Sequence, residues 1–99
     1  MLEHLTIASL SEQLHTKFRL TVEPERVIEL ELVGVEPQAD VPGQTERFAA
    51  VFRGALDTFL PQSTYAFEHD ALGSFELFIV PIRKDEEGFY YEAIFNRLK

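Results

Sequence analysis

The feature that most constrains the fold is a pair of apolar runs near the C-terminus, which reads LGSFELFIVPIRKDEEGFYYEAIF from Leu72 to Phe95. A polar turn over residues 84–88 separates the runs and ends at Gly88, the residue type that a tight reversal favours. The sequence therefore predicts a β-hairpin, against which the rest of the chain must pack.

The first strand of this hairpin is apolar on both faces, because aromatic and aliphatic residues occupy successive positions rather than alternate ones. Such a strand is typical of a packed sheet or of a small barrel whose outside is also masked, so we expect it to be covered on both sides over part of its length. The two faces comprise Phe75, Leu77 and Ile79 on one side and Phe78, Val80 and Ile82 on the other.

A short helix is predicted at the N-terminus. Thr6 suits the N-cap, and Leu5 and Leu10 then have the spacing of a hydrophobic staple. Ile7, Leu10 and Leu14 share one face, so we expect the helix to dock as a lid over a barrel end or a sheet face.

Apolar residues that recur at every second position predict further strands between the helix and the hairpin. In the first predicted pair, matching the apolar faces places Arg19 opposite Glu29 or Glu31. The same reasoning places Phe67 opposite Phe75. The reversals are expected at residues 23–25 and 70–73, and the additional strands cover residues 17–22, 27–35, 47–54 and 64–69.

The sum is a mainly β protein with a short N-terminal helix and a six-stranded antiparallel meander. An open sheet this apolar on both faces would aggregate through its unpaired edge strands. We therefore expect the strands to close into a small barrel, with a two-layer sandwich as the alternative. Residues 1–99 are interpreted as a single domain. A domain of this length buries enough surface to fold without disulfides or a structural metal.

Composition excludes several classes of function. The chain has no cysteine, which rules out disulfides, thiolate metal sites and cysteine nucleophiles. Its net charge of −8 disfavours binding to nucleic acid or to anionic membranes. The N-terminus lacks an export signal and no apolar stretch is long enough to span a bilayer, so we expect a cytoplasmic protein.

Catalytic residues are not evident. Glu68 and Asp70 should point away from His69 on the same strand, so these three residues are better interpreted as solvated turn residues than as metal ligands. Glu29 and Glu31 share a strand face at a spacing compatible with a general acid and base, but a charged solvent face is the simpler interpretation. No serine lies in a nucleophile elbow and no glycine-rich phosphate loop is present. We therefore expect a protein that is not an enzyme and needs no cofactor or metal.

Two irregular connections are the candidate binding segments. Residues 54–63 carry Leu56, Phe59 and Leu60, which either plug a barrel end or form an exposed apolar patch for a partner. The longest predicted loop, residues 36–46, contains Val41 and Pro42 and is either functional or merely mobile. These five residues are the candidate partner-binding residues.

Several segments resemble a family of small bacterial domains of unknown function. They are LEHLT at residues 2–6, FRG at 52–54, LPQSTY at 60–65, HDALGSFELFIVPI at 69–82 and YEAIFN at 91–96. Ser63 stands where the resemblance leads us to expect glycine. The resemblance implies a single-domain β-rich protein without catalytic residues, and an accessory role in a phage-tail-like or other protein assembly.

Our leading hypothesis is a non-enzymatic interaction or assembly module that binds a protein partner. One alternative is a small-ligand-binding barrel, although nine phenylalanines should fill so small an interior. Another is an acidic inhibitor that mimics nucleic acid, which only the excess of acidic residues suggests. A homodimer is also considered, through a strand edge near Pro81, where a proline marks an edge or a bulge, or through residues 47–54.

Overall fold

A computed structural model describes residues 5–22, 26–37 and 45–98, the side chains of residues 45, 46 and 96–98 excepted. It contains one helix and six strands. These elements are α1 (Ile7–Ser11), β1 (Lys17–Val22), β2 (Arg26–Pro37), β3 (Thr45–Gly54), β4 (Ser63–His69), β5 (Gly73–Asp85) and β6 (Gly88–Leu98).

The six strands form a closed antiparallel barrel in the order β1-β2-β3-β6-β5-β4. The barrel and the short helix are confirmed, but the prediction of a single meander is wrong. The chain forms two three-stranded meanders, β1-β2-β3 and β4-β5-β6, which join where β3 pairs with β6 and where β1 pairs with β4. The reason is the connection at residues 55–62, which is too long and too apolar for a hairpin turn and carries the chain away from β3.

Helix α1 is capped as predicted. The Thr6 side chain accepts a hydrogen bond from the Ser9 backbone N–H at 3.0 Å, and the Ser9 hydroxyl accepts one from the Thr6 N–H at 2.9 Å. This reciprocal arrangement is a capping box with serine in the position where glutamate or glutamine is usual. Leu5 and Leu10 are fully buried in the barrel core, so the helix closes over it as a lid.

Alternation along the strands directs a cluster of aromatic rings inward. Phe67 lies opposite Phe75, as predicted, and their rings stack at 5.8 Å between centroids. Phe18 packs edge-on against Phe52 at 5.2 Å and against Phe75 at 6.3 Å. These rings, together with buried leucines, fill the middle of the barrel.

The outer face of β5 is not covered as expected. Phe75, Leu77 and Ile79 are buried, but Phe78 and Ile82 are exposed. The barrel is a single layer, and α1 packs against β2 rather than outside β5, so nothing among the described residues masks these two side chains.

Pro81 marks a β-bulge, one of the outcomes predicted for it. Pro81 pairs with Tyr91 and Arg83 pairs with Tyr90, which leaves Ile82 without a counterpart. Arg47–Gly54 lies in β3, which pairs with β2 on one side and with β6 on the other. It is therefore an interior strand rather than a free edge for dimerisation.

The predicted loop at residues 36–46 is shorter than expected, because Glu36 and Pro37 extend β2 and residues 45–46 begin β3. Its middle, with Val41 and Pro42, lies outside the described residues, as does the predicted reversal at residues 23–25.

Candidate partner-binding surface

The connection between β3 and β4, residues 55–62, is held to the barrel by two tyrosine hydroxyls. The Tyr91 hydroxyl accepts a hydrogen bond from the buried Leu60 N–H at 3.1 Å. The Tyr65 hydroxyl donates to the Pro61 carbonyl at 2.6 Å. Burial raises the pKa of both phenols, so each stays protonated over the whole neutral range. The path of this connection is thus fixed at two successive residues.

The three apolar side chains predicted to act here separate into two groups. Leu60 is buried in the core and plugs the barrel, so it is not available to a partner. Phe59 and Leu56 are 55% and 45% exposed, which excludes them as plugs and leaves them on the surface. The Phe59 ring packs edge-on against the Phe89 ring, with 5.3 Å between the centroids.

An open groove of 560 Å³ runs beside Phe59. Its walls include Val22, Arg26 and Ile28 of the β1–β2 pair and Tyr65 of β4. We refer to Leu56, Phe59 and this groove as the Phe59 surface.

A second open hollow, of 710 Å³, adjoins the first and is polar, with Arg26, Ile28 and Thr58 common to both. Glu31 is one of its lining residues, and its carboxylate contacts Arg53 at 3.0 Å, His15 at 3.3 Å and Lys17 at 3.8 Å. Burial tends to raise the pKa of Glu31, but the hydrogen bond with His15 and the charges of Arg53 and Lys17 outweigh it and lower that pKa.

This network explains the role of Glu31, one of the two carboxylates that the sequence offered as a possible acid–base pair. Glu31 is paired with the cations Arg53 and Lys17 and contacts His15, whereas Glu29 is exposed, and the charged-face interpretation fits both carboxylates better. Arg19 lies opposite Glu29 in the register, as predicted. Its ion pairs, however, are with Asp70 at 2.9 Å and Glu68 at 3.8 Å on the other side.

His69 is buried, which contradicts its interpretation as a solvated turn residue. Glu68 and Asp70 do point the other way, to solvent. The Nδ1 atom of His69 accepts hydrogen bonds from the N–H groups of Ala71 at 3.0 Å and Leu72 at 3.3 Å. Nδ1 therefore carries no proton, and Nε2 donates to the Thr16 hydroxyl at 2.9 Å. His69 has a structural role here, because one ring nitrogen holds the turn at residues 70–73 and the other holds Thr16, the residue before β1.

Burial lowers the pKa of His69, with the nearby charge of Arg19 acting in the same direction and that of Asp70 opposing it. The ring also packs against Phe18 at 4.2 Å between centroids. Among the described residues no group of acidic and histidine side chains could hold a metal ion. In the same part of the chain, no helix is long and apolar enough to cross a bilayer.

The structure also contains an apolar cleft between β5 and β6, which the sequence did not indicate. The two strands pair only from Val80 with Glu92 to Asp85 with Gly88, and before Val80 strand β5 pairs with β4 instead. An open cleft of 440 Å³ lies where they separate, and we call it the β5–β6 cleft. It is lined by Glu76, Leu77, Phe78, Val80, Glu92, Ala93, Ile94 and Phe95.

These features define a class of protein: a small closed six-stranded barrel that displays apolar side chains on its outside. The chain belongs to the family DUF6916, a domain of unknown function, whose model matches residues 5–95. No curated protein and no solved structure matches the chain. The resemblance to a domain family of unknown function is thereby confirmed.

Proposed function

We propose that the protein is a non-enzymatic interaction module that binds a partner protein through the Phe59 surface. The observation that carries the proposal is the display of an exposed phenylalanine on a connection whose backbone is tied down immediately after it, at Leu60 and Pro61. An aromatic side chain held in place before binding loses little conformational entropy when a partner covers it.

The neighbouring groove supports the same proposal, because Phe59 lines a hollow that an apolar side chain of a partner can enter. Leu56, three residues earlier on the same connection, is also exposed. An exposed aromatic side chain next to an open pocket is typical of the centre of a protein interface. We therefore propose a partner that presents an apolar segment to this surface, within a protein assembly of which a phage-tail-like fibre is one candidate.

The other functions considered have less support. A small-ligand barrel needs interior space, and here the rings of Phe18, Phe52 and Phe67 contact one another across the middle. Mimicry of nucleic acid needs a continuous acidic track, but Glu31 and Glu87 are both paired with Arg53.

Site-specific cross-linking in the source cell tests the proposal. A photo-reactive amino acid in place of Leu56 should give a discrete adduct with one partner, which mass spectrometry identifies. Phe59→Asp in the same chain should abolish the adduct, because a carboxylate cannot be buried without a partner.

A photo-reactive residue in place of Ile82 serves as the matched control, because Ile82 is 44% exposed and lines neither the Phe59 groove nor the β5–β6 cleft. Equal yields of the same adduct from both positions, or an adduct that Phe59→Asp leaves unchanged, would contradict the proposal. The melting temperature of Phe59→Asp should stay close to that of the parent, because the side chain is more than half exposed.

A further inference from the structure

We infer that the β5–β6 cleft is a second binding site, which accepts an extended, basic segment of a partner protein as an added β-strand. This site is distinct from the Phe59 surface and has its own geometry.

The first argument is the pairing of the two strands that border the cleft. Residues 76–79 of β5 pair with β4 on one side, and residues 93–98 of β6 pair with β3 on one side. Among the described residues neither stretch has a strand on its other side. Unpaired strand edges present N–H and C=O groups that an extended peptide can bond, which is the basis of strand addition.

The second argument is the character of the cleft walls. Phe78 and Ile94, one on each strand, are both 52% exposed. Leu77, Ala93 and Phe95 are buried and form the floor. A peptide strand alternates its side chains between two faces, so it can cover Phe78 and Ile94 with one set and leave the other set in solvent.

The third argument is charge. Glu76 and Glu92 line the cleft, and neither has an ion pair within the described part of the chain. Carboxylates beside an apolar edge that form no ion pair with described residues favour lysine or arginine in the incoming strand. The net charge of −8 opposes a second copy of the same chain as the occupant.

Titration with synthetic peptides, followed by the amide signals of the isotope-labelled protein, tests this inference. The probe is a blocked heptapeptide that alternates lysine and valine. We expect it to shift and protect amides within residues 76–80 and 92–95. The peptide with glutamate in place of lysine should not bind, and a central proline should weaken binding by removing a backbone donor.

Variants locate the effect. Phe78→Ser should weaken binding of the lysine peptide about tenfold or more, because the exposed ring supplies much of the apolar contact. The double variant Glu76→Gln/Glu92→Gln should weaken it about tenfold. The control Glu12→Gln/Glu86→Gln removes the same charge from exposed sites elsewhere and should change it by about twofold at most.

Several outcomes would overturn the inference: no binding of the lysine peptide, equal loss in both double variants, or shifts confined to the Phe59 surface. A dimer in sedimentation that Phe78→Ser dissociates would overturn it as well, because the occupant would then be a second copy. Phe59→Asp should leave peptide binding unchanged, so failure here and failure of the proposed function can be told apart.

Discussion

The two faces of strand β5 carry similar side chains in very different surroundings. Phe75, Leu77 and Ile79 are buried against the aromatic core, whereas Phe78, a residue of the same type, is half exposed on the outside of the barrel. The apolar character of the inner residues is explained by folding, since their burial stabilises the barrel. Folding does not explain the exposed residues on the outer face. An exposed apolar side chain that stability does not require is therefore a candidate for a binding role.

The largest expected effect compares neighbours on this strand. Ile79→Ala should lower the free energy of unfolding by about 2–5 kcal/mol, because it removes buried methyl groups and leaves a cavity. Phe78→Ser should change it by about 0.5 kcal/mol or less, as surface substitutions commonly do. Urea denaturation of both variants measures the difference. Equal losses would show that the outer face also contributes to the fold and would remove the basis for a binding role.

The two faces illustrate what the sequence could predict. Strand positions, the inward partners Phe67 and Phe75, and the Thr6 cap all follow from local alternation and spacing, and all three are confirmed. The sequence also predicted that Phe75 faces the interior. The apolar pattern of β5 did not show, however, that its opposite face would be exposed to solvent. That depends on whether a second layer exists, which is a property of the whole chain.

The strand order and the β5–β6 cleft were missed for a related reason. The pairing of β3 with β6 and of β1 with β4 joins strands far apart in the sequence, and the connecting segments carry no local signal of it. The cleft exists because β5 changes partner near Val80. Its residues up to Ile79 pair with β4, which begins at Ser63, and its residues from Val80 onwards pair with β6. The bulge at Pro81 follows immediately. The proline itself was the local sequence signal that predicted irregular pairing at this point.

A smaller effect compares two anchors of the connection that carries Phe59. Tyr91→Phe removes the acceptor of the buried Leu60 N–H and should cost about 1–3 kcal/mol, the usual penalty for an unsatisfied buried group. Tyr65→Phe removes an exposed hydrogen bond to the Pro61 carbonyl, which water can replace, and should cost about 1 kcal/mol or less. Denaturation of the two variants checks this order.

The anchors also bear on binding. If the connection is held ready for a partner, Tyr91→Phe should raise the dissociation constant of the partner found by cross-linking, at a temperature where the variant remains folded. A variant that loses stability but binds as before would show that Phe59 does not depend on a fixed connection.

The smallest effect concerns His69, the buried polar side chain at the end of the barrel near the lid. Its pKa lies below the ordinary value of 6.5 because burial disfavours the charged ring. The unfolded chain therefore takes up a proton at His69 near pH 6.5 while the folded chain does not, so stability is complete above that pH. It falls as the pH drops from about 6.5 towards the lower pKa of the folded state.

The expected result is a decrease in the free energy of unfolding between pH 7.5 and pH 5.5, measured in urea. His69→Gln should remove this dependence, while its stability at pH 7.5 is lower because the hydrogen bonds to Thr16 and to the turn are disturbed. Because His15 is a second histidine, in contact with Glu31 at 3.3 Å, the comparison is made in a His15→Gln background. Nitrogen chemical shifts of the His69 ring should show the proton on Nε2, and a folded-state pKa at or above 6.5 would contradict the assignment of a neutral, structural histidine.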